Sequence, residues 1–432
     1  MCSLRLFRLK RWGFISVLFW ILGFAGPAAS CAEERVPRIE FGTAPVSNQF
    51  NRAKIETIAI DSIAVDVRSS LGVPSFSIGV VHRDRLVYAK SFGDRCLSNS
   101  QPASPETLYH VGSVSKGITS SLLMILLHRG VLALDDPISD YLPDSVEMPT
   151  FRGAPEEITV RQLASHTSGL RRDPPNRRNV WHGFLLNPGQ AKAYSTDELY
   201  KAVSGSKLEF EPGLDCRYSN YGFGLLGHVM ERAAGKPLER LFKEELFHPL
   251  GMNDTTVQLD EEARELFATH YWADDKARPR KDRPETPFGE VFAHGGIVSS
   301  VNDLAKLISF HFGAANDSLP TSGVSLVQEP QLNADGEPFF LERDGVAMQM
   351  ALGWRVQNPG EAGGIVNHSG EMDGHSAYVA FAPQSQVGVI VLANLGGASR
   401  SREDNPTAAV ELGVKLKEMI LYPSLGWKLG SD

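Results

Sequence analysis

The sequence predicts an α+β fold in which strands from both ends of the chain form one split sheet and an all-helical domain is inserted between them. Runs rich in β-branched residues with strand spacing occur over residues 76–93 and again from residue 348. Between about 131 and 290 the chain carries helical stretches joined by proline and glycine, without a convincing strand run. This order of elements favours one sheet interrupted by a helical insert.

The N-terminal elements follow from residue periodicity. Over residues 51–70 apolar side chains recur at helical spacing, which predicts an amphipathic helix: Ile55, Ile58, Ala59 and Ile63. The next stretch, FSIGVVHRDRLVYAKSFG, contains two apolar runs separated by a charged turn at residues 83–85. This pattern predicts a β-hairpin.

The later elements alternate between helix and strand patterns. An apolar helix begins at Ser113 and ends near Gly130, and further helices are predicted in YSTDELYKAVSG and GFGLLGHVMERAAG. Strand spacing returns in MQMALGWRVQ, GGIVNHSG, HSAYVAFAP and VGVIVLANL. A last helix is predicted over residues 406–420.

Composition and charge narrow the class of protein. The 432 residues are 42% hydrophobic and 22% charged, as in a globular protein, and the net charge of -8 has no long basic run to attract nucleic acid. There is no CxxC, which leaves zinc ribbons and thioredoxin chemistry unsupported, and no residue cluster demands a metal or organic cofactor. Cys96 and Cys216 remain in the mature chain, where a disulfide between them is one option.

The N-terminus has the pattern of an export signal. A basic start, MCSLRLFRLKRWGF, precedes the apolar run FISVLFWILGF and the small, polar AGPAASCAEE. We therefore expect a signal peptide over residues 1–32, a linker over 33–50, and a periplasmic or secreted protein without a stable membrane span. Lipidation of Cys31 or an uncleaved N-terminal anchor is the alternative.

The first candidate site is SVSK, residues 113–116, at the start of the apolar helix. Positions i and i+3 share a helix face, so the Ser113 hydroxyl and the Lys116 amine can come within hydrogen-bond reach. A lysine whose pKa is lowered by burial can take the serine proton, and a backbone N–H at a helix start can bind an oxyanion. A helix cap is the alternative role for Ser113, and the same spacing recurs at Ser204 and Lys207 in a loop-like context.

The second candidate is Tyr218-Ser219-Asn220, the only YxN in the chain. Tyr218 can act as a general base or proton relay, particularly beside a lysine that favours its phenolate. Asn220 can hold the lysine and a substrate amide. The alternative is that Ser219 or Asn220 caps the helix that follows.

The third candidate is His368-Ser369-Gly370, on a predicted strand followed by a glycine-marked turn and two more strands. HxG also occurs at residues 128–130 and 294–296, so the strand context singles out the copy at 368. An edge strand there can lie alongside a substrate and offer backbone groups to it, including the Glu371 N–H.

Three further histidines are interpreted as structural. His166 in SHTSGL is expected to be buried and to fix a loop beneath the site, and His294 and His375 are expected to have similar roles. GxSxG does not occur, so a nucleophile elbow of the α/β-hydrolase type is unsupported.

Taken in order, SVSK, YSN and HSG resemble the active site of class C β-lactamases, D-Ala-D-Ala carboxypeptidases and their esterase and peptidase relatives. The stretches LDDPISDYLP, VRQLASHTSGL, EELFHPLGMNDTT and GGIVSSVNDLAKLI also look like phrases of this family, and the resemblance runs from about residue 50 to 422. It implies a split antiparallel sheet flanked by helices, with the site at its junction with the helical insert.

The resemblance also implies domain bounds. The hydrolase domain spans 51–422, with a sheet subdomain over about 51–112 and 291–422, a helical subdomain over about 113–290, and a tail over 423–432.

The resemblance assigns roles to the candidate residues. Ser113 is the acylated nucleophile, and Lys116 and Tyr218 form the proton-transfer pair. The backbone N–H groups of Ser113 and Glu371 form the oxyanion hole. The remaining positions bind substrate: Asn220, His368, Ser369, Gly370 and Glu371.

The chain departs from the lactamase members at His368, where they have a lysine. A lysine is charged and attracts a substrate carboxylate, whereas a histidine is mostly neutral at pH 7. The resemblance is therefore to the esterase and peptidase branch, with efficient β-lactam hydrolysis in doubt. We expect an exported serine hydrolase that acts on an ester or amide of a small molecule or peptide. The alternatives are a penicillin-binding sensor that is acylated without efficient turnover, and a structural cell-envelope protein whose site has decayed.

Overall fold

The computed structural model describes residues 57–175, 193–273, 279–280, 287–314, 319–343, 346–360, 363–396 and 407–425. Its α-helices are α1 Thr57–Leu71, α2 Ser115–His128, α3 Val160–Ala164, α4 Thr196–Ser204, α5 Asn220–Ala234, α6 Leu238–Leu241, α7 His248–Leu250, α8 Glu261–Leu266, α9 Val301–His311, α10 Ala408–Leu416 and α11 Tyr422–Ser424. Single π-helical segments, Phe242–Phe247 and Lys417–Leu421, join α6 to α7 and α10 to α11.

The strands are β1 Ser75–His82, β2 Arg85–Cys96, β3 Gln101–Pro102, β4 Tyr109–His110, β5 Thr150–Phe151, β6 Ala154–Pro155, β7 Tyr271–Ala273, β8 Pro279–Arg280, β9 Val298–Ser299, β10 Phe340–Arg343, β11 Val346–Met350, β12 Arg355–Gly360, β13 Gly363–Met372, β14 His375–Ala382, β15 Val387–Ala393 and β16 Leu395–Gly396. Within the described residues the main sheet has nine antiparallel strands in the order β10-β11-β12-β13-β14-β15-β1-β2-β3.

The two ends of the chain meet in this sheet at β1 and β15. Their register runs from Phe76 opposite Ala393 to His82 opposite Val387. A hairpin turn with Arg83 at φ 57° joins β1 to β2. The sheet is therefore split in sequence but continuous in space, which confirms the predicted α+β architecture.

Helices cover both faces of the sheet, so its central strands are buried on both sides. On β15, Ile390 and Leu392 face the core shared with the helical part of the chain, while Val389 and Val391 face a second core. Period-two alternation of the side chains places successive residues on opposite faces. The second core is closed by α1 and α10, and the first by α2 and α9. Two covered faces explain the nearly continuous apolar runs in these strands.

Helix α2 is the central helix of the first core. Residues 115–126 are all buried, the polar side chains of Lys116, Thr119 and Ser121 included, so α2 is enclosed on every side. A Cβ on Gly117 would lie 2.3 Å from the Trp354 ring, so glycine is what lets α2 pack directly against the start of β12. This contact fixes α2 beside the sheet.

Most predicted elements are confirmed. The hairpin, the helix after Ser113, the four C-terminal strand segments and the last helix lie where expected, and between 131 and 290 strands of only two or three residues occur among the described residues. The last helix continues past residue 420 to Ser424. The signal peptide at 1–32 and the linker at 33–50 lie outside the described residues. The subdomain bounds remain a prediction.

Within the described part of the chain, no helix combines the length and the apolar character that crossing a membrane requires.

Candidate active site

Ser113 lies in a single 3₁₀ turn, Gly112–Val114, that leads directly into α2. The N-cap of α2 is Val114, so the interpretation of Ser113 as a helix cap is wrong. Gly112 has φ 52°, a left-handed conformation that favours glycine, and a Cβ there would lie 2.5 Å from the Glu371 nitrogen. The turn leaves Ser113 partly exposed while Lys116 behind it is buried.

The Lys116 amine is buried and surrounded by hydrogen-bond acceptors. Its side chain has no exposed surface, and Nζ donates to Asn220 Oδ1 at 2.8 Å and to the His294 carbonyl at 2.7 Å. Nζ lies 3.3 Å from Ser113 Oγ. Burial lowers the pKa of Lys116 to about 8, against the opposing influence of Tyr218. An amine with this pKa can exchange protons near neutral pH.

Tyr218 lies among three cationic groups. Lys116 Nζ is 4.8 Å from the centroid of its ring, the Arg172 guanidinium 5.2 Å and the Arg355 guanidinium 5.5 Å. Burial acts to raise the pKa of Tyr218, but the positive charges of Lys116 and Arg355 outweigh burial and lower it. The titrations of the Tyr218 phenol and the Lys116 amine are therefore coupled, because the protonation state of each group changes the pKa of the other.

Asn220 connects Lys116 to a neighbouring loop. Helix α5 begins at Asn220, and the Ser219 hydroxyl caps it by accepting from the Gly222 N–H at 2.8 Å. Ser219 is thus the cap, one of the two options predicted. The Asn220 amide accepts from Lys116 through Oδ1 and donates through Nδ2 to Asp173 Oδ1 at 2.9 Å.

Strand β13 crosses directly over the Ser113 turn. A Cβ on Gly370 would lie 1.9 Å from the Val111 carbonyl oxygen and 2.9 Å from the Ser113 nitrogen. Because no larger residue fits, Gly370 lets the two backbones touch. This approach brings the Glu371 backbone nitrogen against the turn that carries Ser113, as the predicted oxyanion pair requires.

His368 is completely buried on β13, and its ring centroid lies 6.3 Å from that of Tyr218. Its Nδ1 lies 2.7 Å from the Ser369 carbonyl oxygen. Since a carbonyl only accepts, this contact requires a proton on Nδ1. The distance between the two rings places His368 beside Tyr218.

The other histidines of interest make structural contacts. His166 Nδ1 accepts from the Ser219 N–H at 3.0 Å, and burial holds its pKa well below its ordinary value. His375 Nδ1 accepts from the His110 N–H at 2.9 Å. His294 contributes its backbone carbonyl to Lys116. These contacts agree with the structural roles expected.

The second serine–lysine pair lacks the features of the first. Ser204 is the last residue of α4, its hydroxyl accepts from the Glu147 N–H at 3.1 Å, and Lys207 is exposed. Of the cysteines in the described residues, Cys96 and Cys216 are both free, so the disulfide option between them is not realised.

Sequence reasoning missed three side chains beside Tyr218 and Asn220. Arg172 and Asp173 belong to the mixed-charge, proline-containing stretch RRDPPNRRN, whose pattern favours a solvated loop, with a rim that attracts acidic substrates as the alternative. Arg355 pairs with Asn367 across the sheet, one residue before His368. Only strand register reveals that relation, because twelve positions separate the two residues in the chain.

A buried antiparallel sheet with a serine and a buried lysine at the start of its central helix defines a class of serine hydrolases related to penicillin-binding proteins. Residues 60–413 match the family described as Beta-lactamase. The match covers well over half of the chain, and this protein therefore belongs to the β-lactamase family.

Curated relatives agree with this assignment. The D-alanyl-D-alanine-carboxypeptidase/endopeptidase AmpH of Escherichia coli (strain K12) is 27% identical over 342 residues, which is 77% of this chain and 82% of the relative. A Beta-lactamase of Pseudomonas fluorescens is 26% identical over 356 residues, 78% of this chain and 92% of the relative. The chain is thus a serine hydrolase at the level that the family shares.

Solved structures show the same fold. The octameric penicillin-binding protein homologue from Pyrococcus abyssi matches with a TM-score of 0.69 at 24% identity, over 87% of this chain and 78% of that one. A Beta-lactamase/D-alanine Carboxypeptidase from Yersinia pestis complexed with citrate matches with a TM-score of 0.66 at 23% identity, over 84% of this chain and 99% of that one.

Proposed function

We propose that this protein is an exported serine hydrolase that cleaves an ester or amide bond through an acyl-Ser113 intermediate. The observation that carries the proposal is Lys116, a completely buried amine 3.3 Å from the Ser113 hydroxyl with its pKa lowered to about 8. An amine with a pKa near 8 can accept and return a proton close to neutral pH, as a general base must.

Acylation begins when Ser113 Oγ attacks the substrate carbonyl carbon. The serine proton passes to the Lys116–Tyr218 pair as the Oγ–C bond forms, and the carbonyl oxygen takes up negative charge. The backbone N–H groups of Ser113 and Glu371 stabilise that oxyanion; removal of one such donor typically costs about 10²- to 10³-fold in kcat. The bond to the leaving group then breaks, and the pair returns the proton to the departing alcohol or amine.

Deacylation uses the same groups with water as the nucleophile. Water attacks the acyl carbon, its proton passes to the Lys116–Tyr218 pair, and the ester bond to Ser113 breaks. The pair then protonates Ser113 Oγ, and the acid is released. Asn220 positions Lys116 throughout, since its Oδ1 accepts from the amine.

The preferred substrate is an ester or a peptide rather than a β-lactam. His368 stands where lactamase members have a lysine, so this position offers no permanent charge to a substrate carboxylate. Two guanidinium groups lie beside Tyr218: that of Arg355, which is buried on β12, and that of Arg172, which is largely exposed. AmpH, whose name describes a carboxypeptidase and endopeptidase, supports peptides as one of the classes to test.

The experiment tests hydrolysis of a panel of esters, D-amino-acid peptides and β-lactams. Product formation reports turnover, and the intact mass of the protein reports the acyl adduct. Ser113→Ala should remove turnover and the acyl adduct, while Ser204→Ala, in the second serine–lysine pair, should keep both. Turnover that survives Ser113→Ala would refute the mechanism. A stable adduct at Ser113 without turnover would instead favour the sensor.

Export is tested separately from activity. The full-length gene should yield a mature protein in the periplasm or medium whose N-terminus begins near Glu33, after the small residues that precede it. A full-length, membrane-bound product would instead show that the N-terminal segment is retained as a membrane anchor.

A further inference from the structure

Three metal-ligating side chains converge away from Ser113, between α5 and the segment that precedes residue 292. His228 and Glu231 share one face of α5, and Glu290 approaches from that segment. His228 Nδ1 lies 3.7 Å from Glu231 Oε1 and 3.7 Å from Glu290 Oε2. One ligand atom from each residue lies within 4.8 Å of the others.

Other contacts orient each of these side chains. His228 Nε2 lies 3.0 Å from the Tyr200 hydroxyl, which turns Nδ1 toward the carboxylates. Glu231 Oε2 accepts from the Leu238 N–H at 2.8 Å, which leaves Oε1 for His228. The Thr196 hydroxyl interacts with the Glu290 carboxylate. Partners of this kind hold metal ligands in place in known sites.

The atom that points most directly to a metal ion is His228 Nδ1. The side chain is 2% exposed, and Nδ1 has no hydrogen-bond partner within the described residues. A separation of 3.7 Å from each carboxylate oxygen exceeds hydrogen-bond length. Ligands about 2.1 Å from a tetrahedral ion are about 3.4 Å apart, close to the spacing seen here.

The electrostatics of the cluster favour a cation. His228 Nε2 can donate to the Tyr200 hydroxyl, and Nδ1 then offers its lone pair to a cation. Oxygens of Glu231 and Glu290 each lie 3.7 Å from His228 Nδ1, so two negative groups face the same space and repel each other. A divalent ion would relieve that repulsion.

The cluster is also accessible. The side chains of Glu231 and Glu290 are 30% and 34% exposed, and both line a cavity of about 600 Å³. An ion can therefore enter from solvent, and water can complete its coordination.

We propose that His228, Glu231 and Glu290 bind a divalent transition-metal ion, with Zn²⁺ preferred. An imidazole nitrogen with two carboxylates suits Zn²⁺ better than Mg²⁺ or Ca²⁺, which favour oxygen ligands. The sequence suggests no such site, because Glu290 lies 59 positions after Glu231.

The ion would join two elements that both contact Lys116. Helix α5 begins with Asn220, and the segment that carries Glu290 leads to His294, whose carbonyl also accepts from Nζ. Zinc would thus hold the two acceptors of Lys116 at a fixed separation. Zinc binding itself does not depend on the proposed hydrolase mechanism.

The test uses the untagged full chain, stripped with a chelator and titrated with zinc chloride or magnesium chloride in a calorimeter. We expect one zinc ion per chain with a dissociation constant below about 10 μM, binding to magnesium at least about tenfold weaker, and a thermal midpoint raised by several degrees. Cobalt(II) should give visible absorption bands characteristic of a tetrahedral site.

Glu290→Gln should weaken zinc binding at least about tenfold and remove the cobalt bands, since it removes a charged ligand but keeps the shape. Glu239→Gln is the matched control, because Glu239 lines the same cavity outside the cluster. Both variants should melt like the wild type in chelator, which shows that they fold. Absence of stoichiometric zinc in the wild type, or equal zinc affinity in Glu290→Gln and the wild type, would overturn the proposal.

Discussion

At the scale of single residues, the candidate site is organised around charge in a buried space. Lys116 has no exposed surface, Arg355 is 2% exposed, and both lie against the Tyr218 ring. Against the effect of burial, the positive charges of Lys116 and Arg355 lower the pKa of the Tyr218 phenol, and burial lowers the pKa of the Lys116 amine. Both shifts ease proton exchange by the two groups, which is what the proposed mechanism requires of them.

This charge pattern predicts a pH dependence. The pKa of Lys116 is lowered to about 8, so the amine is mostly neutral above that pH and mostly protonated below it, and the proposed mechanism uses the neutral form. We expect kcat/KM to rise with pH and to level off above about 8, losing about tenfold per pH unit on the acidic side. The measurement is a pH–rate profile with a neutral ester substrate. The acidic limb of that profile, where the rate rises with pH, reports the apparent pKa of the Lys116–Tyr218 pair.

Arg355 provides the control for this prediction. Its charge lowers the pKa of both Lys116 and Tyr218, so Arg355→Met should move the limb to higher pH while Arg355→Lys should largely restore it. Arg240→Met, at an exposed cation paired with Glu244, should leave the limb in place. A profile that Arg355→Met does not shift would show that this charge is irrelevant to proton transfer.

Residue patterns in the sequence predicted the members of the cluster but not its surroundings. Ser113, Lys116, Tyr218 and Asn220 were identified because helix spacing and short motifs report local chemistry. Asp173 and Arg355 were not, because loop folding and strand register decide which distant residues become neighbours. These relations depend on tertiary packing, which local periodicity does not encode.

At the scale of elements, the contact between β13 and the Ser113 turn rests on one glycine. A Cβ on Gly370 would lie 1.9 Å from the Val111 carbonyl oxygen, so Gly370→Ala must push the strand and the turn apart. We expect kcat/KM to fall by about 10²-fold or more, as when an oxyanion donor is displaced. Two measurements check this prediction: the rate at which one ester acylates Ser113, read from the intact mass of the protein, and kcat/KM for the same ester.

A glycine elsewhere serves as the comparison. Gly205 has φ -91°, and a Cβ there would meet the Lys201 carbonyl oxygen at 3.2 Å, so Gly205→Ala should keep nearly full activity. Wild-type acylation by Gly370→Ala would mean that the close backbone approach is dispensable.

Elements themselves were predictable where the burial pattern was regular. Helix α1 and the hairpin β1–β2 followed from periodicity, since each has at least one face in a core. Pairs of two-residue strands such as β5 and β6 were missed, because so short a run carries no alternation.

At the scale of the whole molecule, the split sheet must be closed by contacts between residues far apart in the chain. Asn394 follows β15, is completely buried, and its Oδ1 accepts from the Ser75 N–H at 2.7 Å. Its Nδ2 lies 3.1 Å from the Thr269 carbonyl and 3.3 Å from each of the Asp94 and Arg95 carbonyls. One amide thus connects β1, β2 and the segment before β7 to the end of strand β15.

Loss of this amide should therefore destabilise the whole molecule. Asn394→Ala leaves the buried Ser75 N–H and three partly buried carbonyls without their side-chain partner, and we expect the free energy of unfolding to fall by about 2–4 kcal/mol. Urea unfolding followed by tryptophan fluorescence measures this change. Asn302→Ala, which removes a contact to Glu106 at the surface, should shift the free energy by about 0.5 kcal/mol or less. Equal stability of the two variants would show that β1 and β15 pair without help from Asn394, and that the sheet is closed by its backbone ladder and apolar faces alone.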